Sequence, residues 1–338
     1  MNIMEKIYEK AAGDPQKVAF PEATEEKILL ACKECVEKGL IVPVLVGNED
    51  EIKKAAEGFG ISLAGMEIYN TNDEAAVNHL IDAYYATNDT LSLKGLKKRA
   101  DRDSMYTALY LLATGEVDAC FAGLTHTTGD VIAAGSLIVG LKEGIITPSS
   151  IGIFKIPNYN GSEGDLLAFG DSAVCVNPGP EELASIAVSA CDTVKGLLGW
   201  EPRCAMLSYS TDGSAESSLV EKVREALKIA KETRPEYNID GEFQLDAAIN
   251  EKVAAKKVKH ESTVAGKANI IIWPDINVGN IGVKLVQYFA GADAYGPLLQ
   301  GFNKIVCDCS RGAPVSELVG NIAMAAVRAQ DQKGVRDE

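Results

Sequence analysis

A serine, an arginine and a glutamate near the carboxyl end of the chain have the types and spacing for chemistry on an anion. Ser310 and Arg311 directly follow the apolar run "KIVCDC", and Glu317 comes in the first turn of a predicted helix. A planar guanidinium next to a hydroxyl suits a phosphate or a developing oxyanion. Glu317 is explained equally well as an ordinary first-turn acid, because a carboxylate there favours the helix dipole.

Two cysteine pairs raise the alternative of metal or redox chemistry. Cys307 and Cys309 bracket an aspartate, and Cys32 and Cys35 have CxxC spacing inside a helical pattern. A zinc site needs a second pair of ligands, and none has the required spacing. We therefore expect these thiols to pack as small apolar groups, and we predict no metal site.

Two loops carry hydroxyl groups where a predicted strand leads into a helix. "GLTHTTGDV" contains His126, Thr127 and Thr128, and "SYSTDGSAES" holds small hydroxyl residues around a glycine. Hydroxyls and free backbone N–H groups at a helix N-terminus favour an anion. Ordinary capping and loop chemistry also explain both stretches, and His126 is either a structural hydrogen-bonder or a functional group. The candidates in the second loop are Ser208, Thr211, Gly213 and Ser214.

A third candidate is "PDINVGNIGVKLVQYFAGADAYGPLLQG". We place Asn280 and Gly282 at the start of a helix that carries Lys284, with Tyr295 after the next turn. A lysine in the first turn opposes the helix dipole, so its presence indicates an anion nearby, although surface lysines are tolerated there. The basic cluster at 94–99 is a further candidate, and a solvated helix face explains it as well.

Strand-like apolar runs alternate with helical patterns along most of the chain. This order predicts parallel sheets covered by helices on both faces, with ligands at the loops that leave the carboxyl ends of the strands. The stretch 149–174 differs, because two strand-like runs are joined by a Gly/Asn/Ser turn without a helix between them. It predicts antiparallel character at the edge of a second domain.

Composition and charge exclude several classes of protein. The 338 residues suffice for two domains, and a formal net charge of −15 disfavours a nucleic-acid surface. No apolar run reaches the ~20 residues needed to cross a bilayer, and no apolar signal core is visible. The eight cysteines then indicate reduced thiols, so we expect a cytoplasmic protein. The absence of a strand-GxGxxG-helix unit disfavours a dehydrogenase.

Seven stretches, in order, resemble the short phosphotransacetylases of the phosphate acetyl/butyryl transferase family. They are "FPEATEEKIL", "GLTHTTGDV", "DSAVCVNPGPEELASIA", "EPRCAMLSYSTDGSAES", "DGEFQLDAAI", "VAGKANIIIWPDINVGNIGVKLVQYFAGADAYGPLLQG" and "DCSRG". The resemblance implies a homodimer of chains with two three-layer α/β/α domains and mainly parallel sheets, like the isocitrate/isopropylmalate dehydrogenases, with the site in the interdomain cleft. We place the domains at residues 1–146 with 297–338, and at 147–296.

The resemblance also implies a reaction: acetyl-CoA and phosphate give acetyl phosphate and CoA, reversibly. CoA is then a substrate, and no metal or permanently bound cofactor takes part. Arg311 would bind the acyl phosphate and stabilise the tetrahedral intermediate, and Ser310 would hydrogen-bond within the reacting group. Glu317, where the family usually has Asp, would take the thiol proton, since a thiol of pKa about 8–9 needs a base at neutral pH. Thr127, Thr128 and Lys284 would hold phosphate.

Three cations common in the family are absent from this chain. In "DVIAAG", Ala133 occupies the position where the family commonly has an arginine, and in "STDGSA", Asp212 occupies that of a lysine. Residues 84–90, "YYATNDT", lack an arginine that the family has in this segment. Their loss should weaken the binding of two anionic substrates. Either the cluster at 94–99 compensates, or the protein is a divergent relative with another acyl donor or thiol carrier, or a non-catalytic binding or regulatory homologue. Retention of the Ser-Arg pair and of an acid at 317 favours the acyltransferase.

Overall fold

The computed structural model describes residues 2–88 and 90–337, and its strands form two separate sheets. One unit comprises the chain up to Gly140 and again from Phe302, and the second comprises Leu141–Gly301. The domain limits placed from the sequence at 146 and 297 stay a prediction.

The first unit is built on a five-stranded, fully parallel sheet in the order β11-β4-β1-β2-β3. Its strands are β1 (Gln16–Phe20), β2 (Ile41–Gly47), β3 (Glu67–Asn70), β4 (Ala119–Phe121) and β11 (Ile305–Cys307). Its helices are α1 (Ile3–Gly13), α2 (Glu26–Glu37), α3 (Glu49–Phe59), α4 (Glu74–Thr87), α5 (Leu93–Arg102), α6 (Ser104–Thr114), α7 (Thr128–Ile138) and α13 (Val315–Asp337). Helices α13 and α2 pack on each other, α13 contacts β1 and α2 contacts β2, and α1 packs on α13. Helix α6 contacts both strands as well and packs against α4, α5 and α7.

The three central strands of this sheet are buried on both faces, which explains their continuous apolar runs. Strand β4 is entirely buried, and β1 and β2 are buried at most positions. Strands of this kind occur where helices cover both sides of a parallel sheet. The fold class predicted from the alternation of strands and helices is therefore confirmed for the first unit.

The second unit has a six-stranded mixed sheet in the order β10-β5-β6-β9-β7-β8. Its strands are β5 (Ser149–Lys155), β6 (Leu166–Gly170), β7 (Arg203–Leu207), β8 (Asn238–Phe243), β9 (Ile270–Ile272) and β10 (Asp293–Gln300). Its helices are α8 (Pro180–Leu198), α9 (Ser218–Thr233), α10 (Leu245–Ile249), α11 (Glu251–Lys257) and α12 (Ile276–Ala290). Strand β5 is antiparallel to both neighbours and the other pairs are parallel, which confirms the antiparallel edge predicted for 149–174.

Several element boundaries bear on the site. Helix α7 begins at Thr128 with Thr127 as its N-cap, and α13 begins at Val315 with Glu317 in its first turn, both as predicted. Helix α12 begins at Ile276, three residues before the predicted start, because Asp275 caps it by accepting from the backbone of Asn277 and Val278. Within the described residues, no helix combines the length and the apolarity that a membrane span requires.

Candidate active site

Three neighbouring strands of the first unit end at the same edge of their sheet. Glu22 follows β1, the loop 123–127 follows β4, and Asp308 to Arg311 follow β11. We call residues 123–127 the 123 loop. Because parallel strands deliver their following loops to one edge, these segments lie together, as the sequence predicts for a ligand site.

The 123 loop wraps around the carboxylate of Glu22. Backbone N–H groups of residues 123–126 and the hydroxyl of Thr125 donate to it at 2.8–3.2 Å. Burial would raise the pKa of Glu22, but the hydrogen bonds from His126 and from the loop backbone outweigh it and hold this pKa at about 2. The loop therefore owes its shape to an internal anion, which the sequence analysis did not single out.

His126 lies between two carboxylates. Its Nδ1 is 2.8 Å from Glu22 and its Nε2 is 3.0 Å from Asp103, the residue that caps α6. Hydrogen bonds to Asp103 and Glu22 raise the pKa of His126 to about 10, so the ring is an imidazolium at neutral pH. Both ring nitrogens are engaged within the chain. His126, a predicted substrate ligand, is thus placed as a support of the 123 loop.

Thr127 and Thr128 lie exposed at the N-terminus of α7, and both hydroxyls have partners. Thr127 forms a capping box with Asp130, with its Oγ1 donating to the carboxylate at 2.6 Å. Thr128 donates to Asp308 at 2.6 Å. The capping explanation therefore holds for Thr127. Thr128 connects the helix N-terminus to the segment after β11, which brings Ser310 and Arg311 to this end of α7.

Gly123 is required by the approach of Asp308. Its φ of +103° lies in the region that favours glycine, and a Cβ there would lie 2.0 Å from Oδ1 of Asp308. Burial raises the pKa of Asp308, and the hydrogen bond from Thr128, which lowers it, does not offset the effect of burial. The close packing of a glycine against a partly buried carboxyl fixes the strand end that precedes Ser310.

Arg311 is exposed and, among the residues that the structure describes, no carboxylate lies within ion-pair distance of it. The hydrogen bond from Thr128 to Asp308 ties the segment that carries Arg311 to the start of α7. Hydrogen bonds from Thr127 lower the pKa of Asp130 in the first turn of α7, and the charges of His126 and Arg311 add to this effect. Ser310 accepts from the backbone N–H of Gly312 at 3.3 Å. An exposed guanidinium beside a helix N-terminus is a site for an anion.

Glu317 is exposed in the first turn of α13. The backbone N–H of Ala313 donates to Ser310 and that of Glu317 donates to Pro314, both at 3.0 Å, so Glu317 lies one turn beyond the segment that carries Ser310. The first unit therefore brings four predicted residues to one region: Thr128, Ser310, Arg311 and Glu317.

The hydroxyl-rich loop of the second unit, residues 208–217, which we call the 208 loop, differs from the prediction. Ser210 donates to Glu242 at 2.7 Å, and the N–H of Gly213 donates to the same carboxylate at 3.1 Å. The hydroxyl of Ser214 accepts from the backbone of Thr211 at 3.0 Å. Of the predicted candidates, Gly213 therefore donates to a carboxylate of the chain and Ser214 accepts within the loop, so contacts inside the second unit account for both.

The carboxylate inside the 208 loop is neutralised by an arginine of α9. Nε of Arg224 lies 3.0 Å from Glu242, and the same guanidinium contacts Glu216 and Glu221. The hydroxyl of Thr211 accepts from the backbone N–H of Gln244 at 2.9 Å. The loop is therefore a closed hydrogen-bonded unit. Ser208 also accepts within the loop, from the N–H of Ser210 at 3.2 Å.

Asp212 joins the 208 loop to the segment after α11. Its carboxylate accepts from the backbone N–H of Lys259 and lies 3.3 Å from Nδ1 of His260. The ammonium of Lys259 donates to the carbonyl oxygen of Asp212 at 3.3 Å. A cation therefore stands beside the position where the motif commonly has lysine.

The position of Lys284 in α12 differs from the predicted one. Because α12 begins at Ile276, Lys284 lies in its third turn, so the argument from an unfavourable first-turn lysine fails. Asn280 donates to the carbonyl of Ser172 at 3.3 Å, and a Cβ at Gly282 would lie 3.0 Å from the ring of Trp273. Asn280 and Gly282 are thus explained by packing. Tyr295 is half-buried in β10, opposite Ile153 of β5.

The cysteines are placed as apolar groups. Cys32 and Cys35 are buried on the inner side of α2, and Cys307 and Cys309 are buried at the end of β11. Burial raises the pKa of all four thiols. No group of His, Cys, Asp or Glu within the described ranges has the arrangement of a metal site.

The acids that shape both loops are not among the residues predicted from the sequence. Glu22 and Glu242 lie in "FPEATEEKIL" and "DGEFQLDAAI", which were matched as motifs without a role for either acid. The usable signal was an acid at or just after the end of a strand that neighbours a Gly- and hydroxyl-rich loop. Asp103 and Arg224 gave no such signal, because their partners are distant in sequence.

Comparison with known proteins agrees with the motifs. The family model described as "Phosphate acetyl/butaryl transferase" matches residues 2–326. A phosphate acetyltransferase of Thermoanaerobacterium thermosaccharolyticum is 42% identical, covering 98% of this chain and 100% of that protein. A phosphate acetyltransferase of Clostridium acetobutylicum is 39% identical, covering 98% and 99%.

The fold agrees as well. The crystal structure of a phosphotransacetylase from Streptococcus pyogenes superposes with a TM-score of 0.87 at 33% identity, covering 97% of this chain and 98% of that one. The matches extend over nearly the whole chain and include both units. The chain therefore belongs to the phosphate acetyl/butaryl transferase family.

Proposed function

We propose that this protein transfers an acetyl or another short acyl group reversibly between CoA and inorganic phosphate. The observation that carries the proposal is Arg311, an exposed guanidinium at the N-terminal end of α7, in a chain that belongs to this family. Ser310 lies next to it in the sequence, and Thr128 connects α7 to the same segment. We therefore place the acyl phosphate at Arg311.

The reaction then runs by attack of the CoA thiolate on the acyl carbon of the acyl phosphate. Glu317 takes the thiol proton, and the sulfur forms a bond to the carbonyl carbon. Arg311 and Ser310 stabilise the negative charge on the oxygen of the tetrahedral intermediate. The intermediate collapses with cleavage of the carbon–oxygen bond to phosphate, giving the thioester. CoA is a substrate in this scheme, and positioning and charge stabilisation supply the rate enhancement.

The missing cations bear on how CoA is held. Ala133 is exposed on α7, where the motif commonly has arginine. The basic helix α5 carries exposed Lys94, Lys97 and Lys98 and ends before Asp103, which holds His126 of the 123 loop. We infer that α5 contributes the cations that α7 lacks. Residue 89 of the segment 84–90 lies outside the described residues.

The assembly and location form part of the proposal. Exposed apolar side chains on α12, including Tyr288 and Phe289, support a homodimer. All eight cysteines are free, which supports a reducing, cytoplasmic environment. Acyl-CoA, acyl phosphate and phosphate are the expected small-molecule partners.

The test is phosphate-dependent release of thiol from acetyl-, propionyl- and butyryl-CoA, measured beside the variant Arg311→Ala. We expect turnover of at least one acyl-CoA and a loss of about 10²- to 10³-fold in the variant, because a donor to the developing oxyanion is removed. Absence of turnover with all three, at high enzyme concentration, would leave a different thiol carrier or a non-catalytic homologue.

The altered cations favour one specific alternative, in which the thiol carrier is not CoA. Assays with dephospho-CoA and pantetheine as acyl acceptors distinguish an enzyme that recognises CoA from one that uses another thiol carrier. If α5 binds the phosphates of CoA, removing the 3′-phosphate should raise the KM several-fold. Equal kcat/KM for CoA and pantetheine would indicate that the nucleotide part is not recognised.

A further inference from the structure

A cavity lies at the edge of the second unit's sheet where β7 and β9 end side by side. Its volume is about 340 Å³, which lies in the range of small-ligand pockets. Segments that follow three strands and the N-terminal ends of α9 and α12 line it. Most of the lining is apolar, including Leu207, Leu219, Leu245, Trp273 and Val278. We call this space the β7–β9 cavity.

The chain leaves β7 and β9 toward opposite faces of their sheet. Helix α9, which follows β7, packs against α8. Helix α12, which follows β9, packs with α10 on a core cluster that includes Trp273, Phe169 and Val283, and this cluster contains no residue of α8 or α9. Neighbouring parallel strands whose connections diverge in this way form a topological switch point, which is where ligands of open α/β sheets bind.

Lys222 of α9 brings a positive charge to the β7–β9 cavity. Its half-buried ammonium donates to the carbonyl of Pro274 at 2.8 Å and, among the residues that the structure describes, forms no ion pair. Burial lowers the pKa of Lys222, and the charge of Asp275 acts in the opposite direction. The carboxylate of Asp275 is itself engaged, since it accepts from two backbone N–H groups at the start of α12. Lys222 is therefore suited to an anionic ligand.

Two neutral donors at the cavity have no acceptor within the described part of the chain. The hydroxyl of Ser208 accepts from the N–H of Ser210 at 3.2 Å and donates to no other residue there. The indole N–H of Trp273, a residue that is 6% exposed, is buried without a partner. A buried donor without an acceptor costs free energy unless a ligand or water supplies one. Ser208, predicted from the sequence as an anion ligand, thus keeps a free donor at this cavity.

The lining of the β7–β9 cavity selects the class of ligand. Walls that are mainly apolar disfavour a sugar, a nucleotide or inorganic phosphate, because each would lose hydration without enough new hydrogen bonds. One ammonium matches a single negative charge, and the neutral donors suit the oxygens of a carboxylate. The volume leaves room for an aromatic ring or a branched aliphatic chain beside that carboxylate.

We propose that the β7–β9 cavity binds a small monocarboxylate with an aromatic or branched aliphatic body. Its carboxylate pairs with the ammonium of Lys222, and its apolar part lies against Leu207, Leu219 and Leu245. All of these residues belong to the second unit, whereas the acyl phosphate is placed at Arg311 in the first unit. The inference therefore goes beyond acyl transfer and does not depend on it.

The test uses the fluorescence of Trp273 in the full chain. The chain has two tryptophans, so Trp200→Phe leaves Trp273 as the only one. We expect 3-phenylpropionate and 4-methylpentanoate to change this fluorescence until the site is saturated. The neutral 3-phenylpropionamide should bind at least about tenfold more weakly than its acid, because it cannot form the charged hydrogen bond with Lys222. Absence of a saturable change with both acids would overturn the site.

Lys222→Gln, made in the Trp200→Phe chain, should abolish the preference for the acid over the amide. Lys228→Gln is the matched control, since Lys228 is exposed on the same helix, and it should keep the preference. Equal affinities of the unaltered cavity for acid and amide, or a preference that survives in Lys222→Gln, would overturn the role of Lys222.

A second variant covers the case in which Lys222→Gln does not fold. Leu219 is 61% exposed, so Leu219→Asp is tolerated at the surface and adds a negative charge to the cavity wall. It should weaken the acid at least severalfold more than the amide, and equal weakening of both would contradict the proposal. Binding is measured without acyl-CoA or phosphate, so its failure leaves the acyltransferase proposal to its own assay.

Discussion

The 123 loop of the first unit and the 208 loop of the second follow the same plan, since each leaves a parallel strand and wraps around a carboxylate at or just after the end of the neighbouring strand. In the first unit that carboxylate is Glu22, and in the second it is Glu242. Both loops are rich in glycine and hydroxyl groups, and both were predicted as anion sites from those residue types.

The two loops differ in what is left over once the internal carboxylate is satisfied. In the 208 loop, Arg224 pairs with Glu242, and Ser210 and Thr211 are buried in the same network. In the first unit, His126 neutralises Glu22, and Arg311 stays exposed near the start of α7. The comparison indicates that hydroxyl-rich loops do not by themselves mark a substrate site. We propose that an unpaired cation beside such a loop, here Arg311, marks it.

The largest effect is expected from Glu317, the proposed base of the first unit. Glu317→Gln should lower kcat by about 10²- to 10⁴-fold, because the carboxamide cannot take the thiol proton. Glu317→Asp, which has the acid common in the family, should keep most of the activity. The measurement is the initial rate of acetyl-CoA formation from acetyl phosphate and CoA. Full activity of the Gln variant would assign Glu317 to the helix dipole alone.

Removing the imidazolium tests the support of the 123 loop. His126→Gln should lower the free energy of unfolding by about 2 kcal/mol at pH 7, because two carboxylates lose a charged hydrogen-bond partner. The folded-state pKa of His126 is raised to about 10, so its stabilisation is complete below about pH 6.5 and is lost as the pH rises through about 10. Urea denaturation should therefore show the difference from wild type shrinking between pH 7 and 10.

The exposed His79→Gln on α4 is the control for that measurement, with no expected change. A constant deficit of His126→Gln from pH 7 to 10 would contradict an imidazolium bridge.

A pair of hydroxyl deletions separates the two loops directly. Thr128→Val should raise the KM for acetyl phosphate about tenfold, because it removes the hydrogen bond to Asp308 that ties the segment of Arg311 to α7, and should lower stability by no more than about 1 kcal/mol, since Thr128 is exposed. Ser210→Ala should lower stability by about 1–3 kcal/mol, since a buried carboxylate loses a donor, and should leave KM within a few-fold. The reverse pattern would place the anion at the 208 loop.

The smallest effect concerns the missing arginine on α7. Ala133→Arg should lower the KM for CoA a few-fold, with less effect on dephospho-CoA, because an exposed cation attracts a phosphate weakly in water. Ala133→Gln provides a control of similar length without charge. An unchanged KM for CoA would contradict the view that α7 has lost a CoA contact.

Local sequence patterns predict most of the fold and part of the candidate site. The alternation of strands and helices, the antiparallel stretch at 149–174 and the first-turn position of Glu317 follow from apolar periodicity, which is local. Helix α12 starts before the expected position near Asn280, because Asp275 caps it by accepting from the backbone N–H groups of Asn277 and Val278.

The remaining errors have a different cause. Whether a hydroxyl faces a substrate or an internal acid depends on contacts between residues far apart in sequence, such as Ser210 with Glu242 or His126 with Asp103. Residue type and spacing do not carry that information. The neutralising partner, Arg224, lies on a helix face that reads from the sequence as solvated.

The most direct test compares the two arginines, Arg311→Ala and Arg224→Ala, by kcat/KM for phosphate-dependent turnover of acetyl-CoA together with the melting temperature. We predict that Arg311→Ala loses about 10²- to 10³-fold in kcat/KM and melts like wild type. We predict that Arg224→Ala melts at a lower temperature while its folded fraction keeps kcat/KM within a few-fold. Wild-type turnover by Arg311→Ala, or a catalytic loss confined to Arg224→Ala, would contradict the assignment of the anion to the first unit.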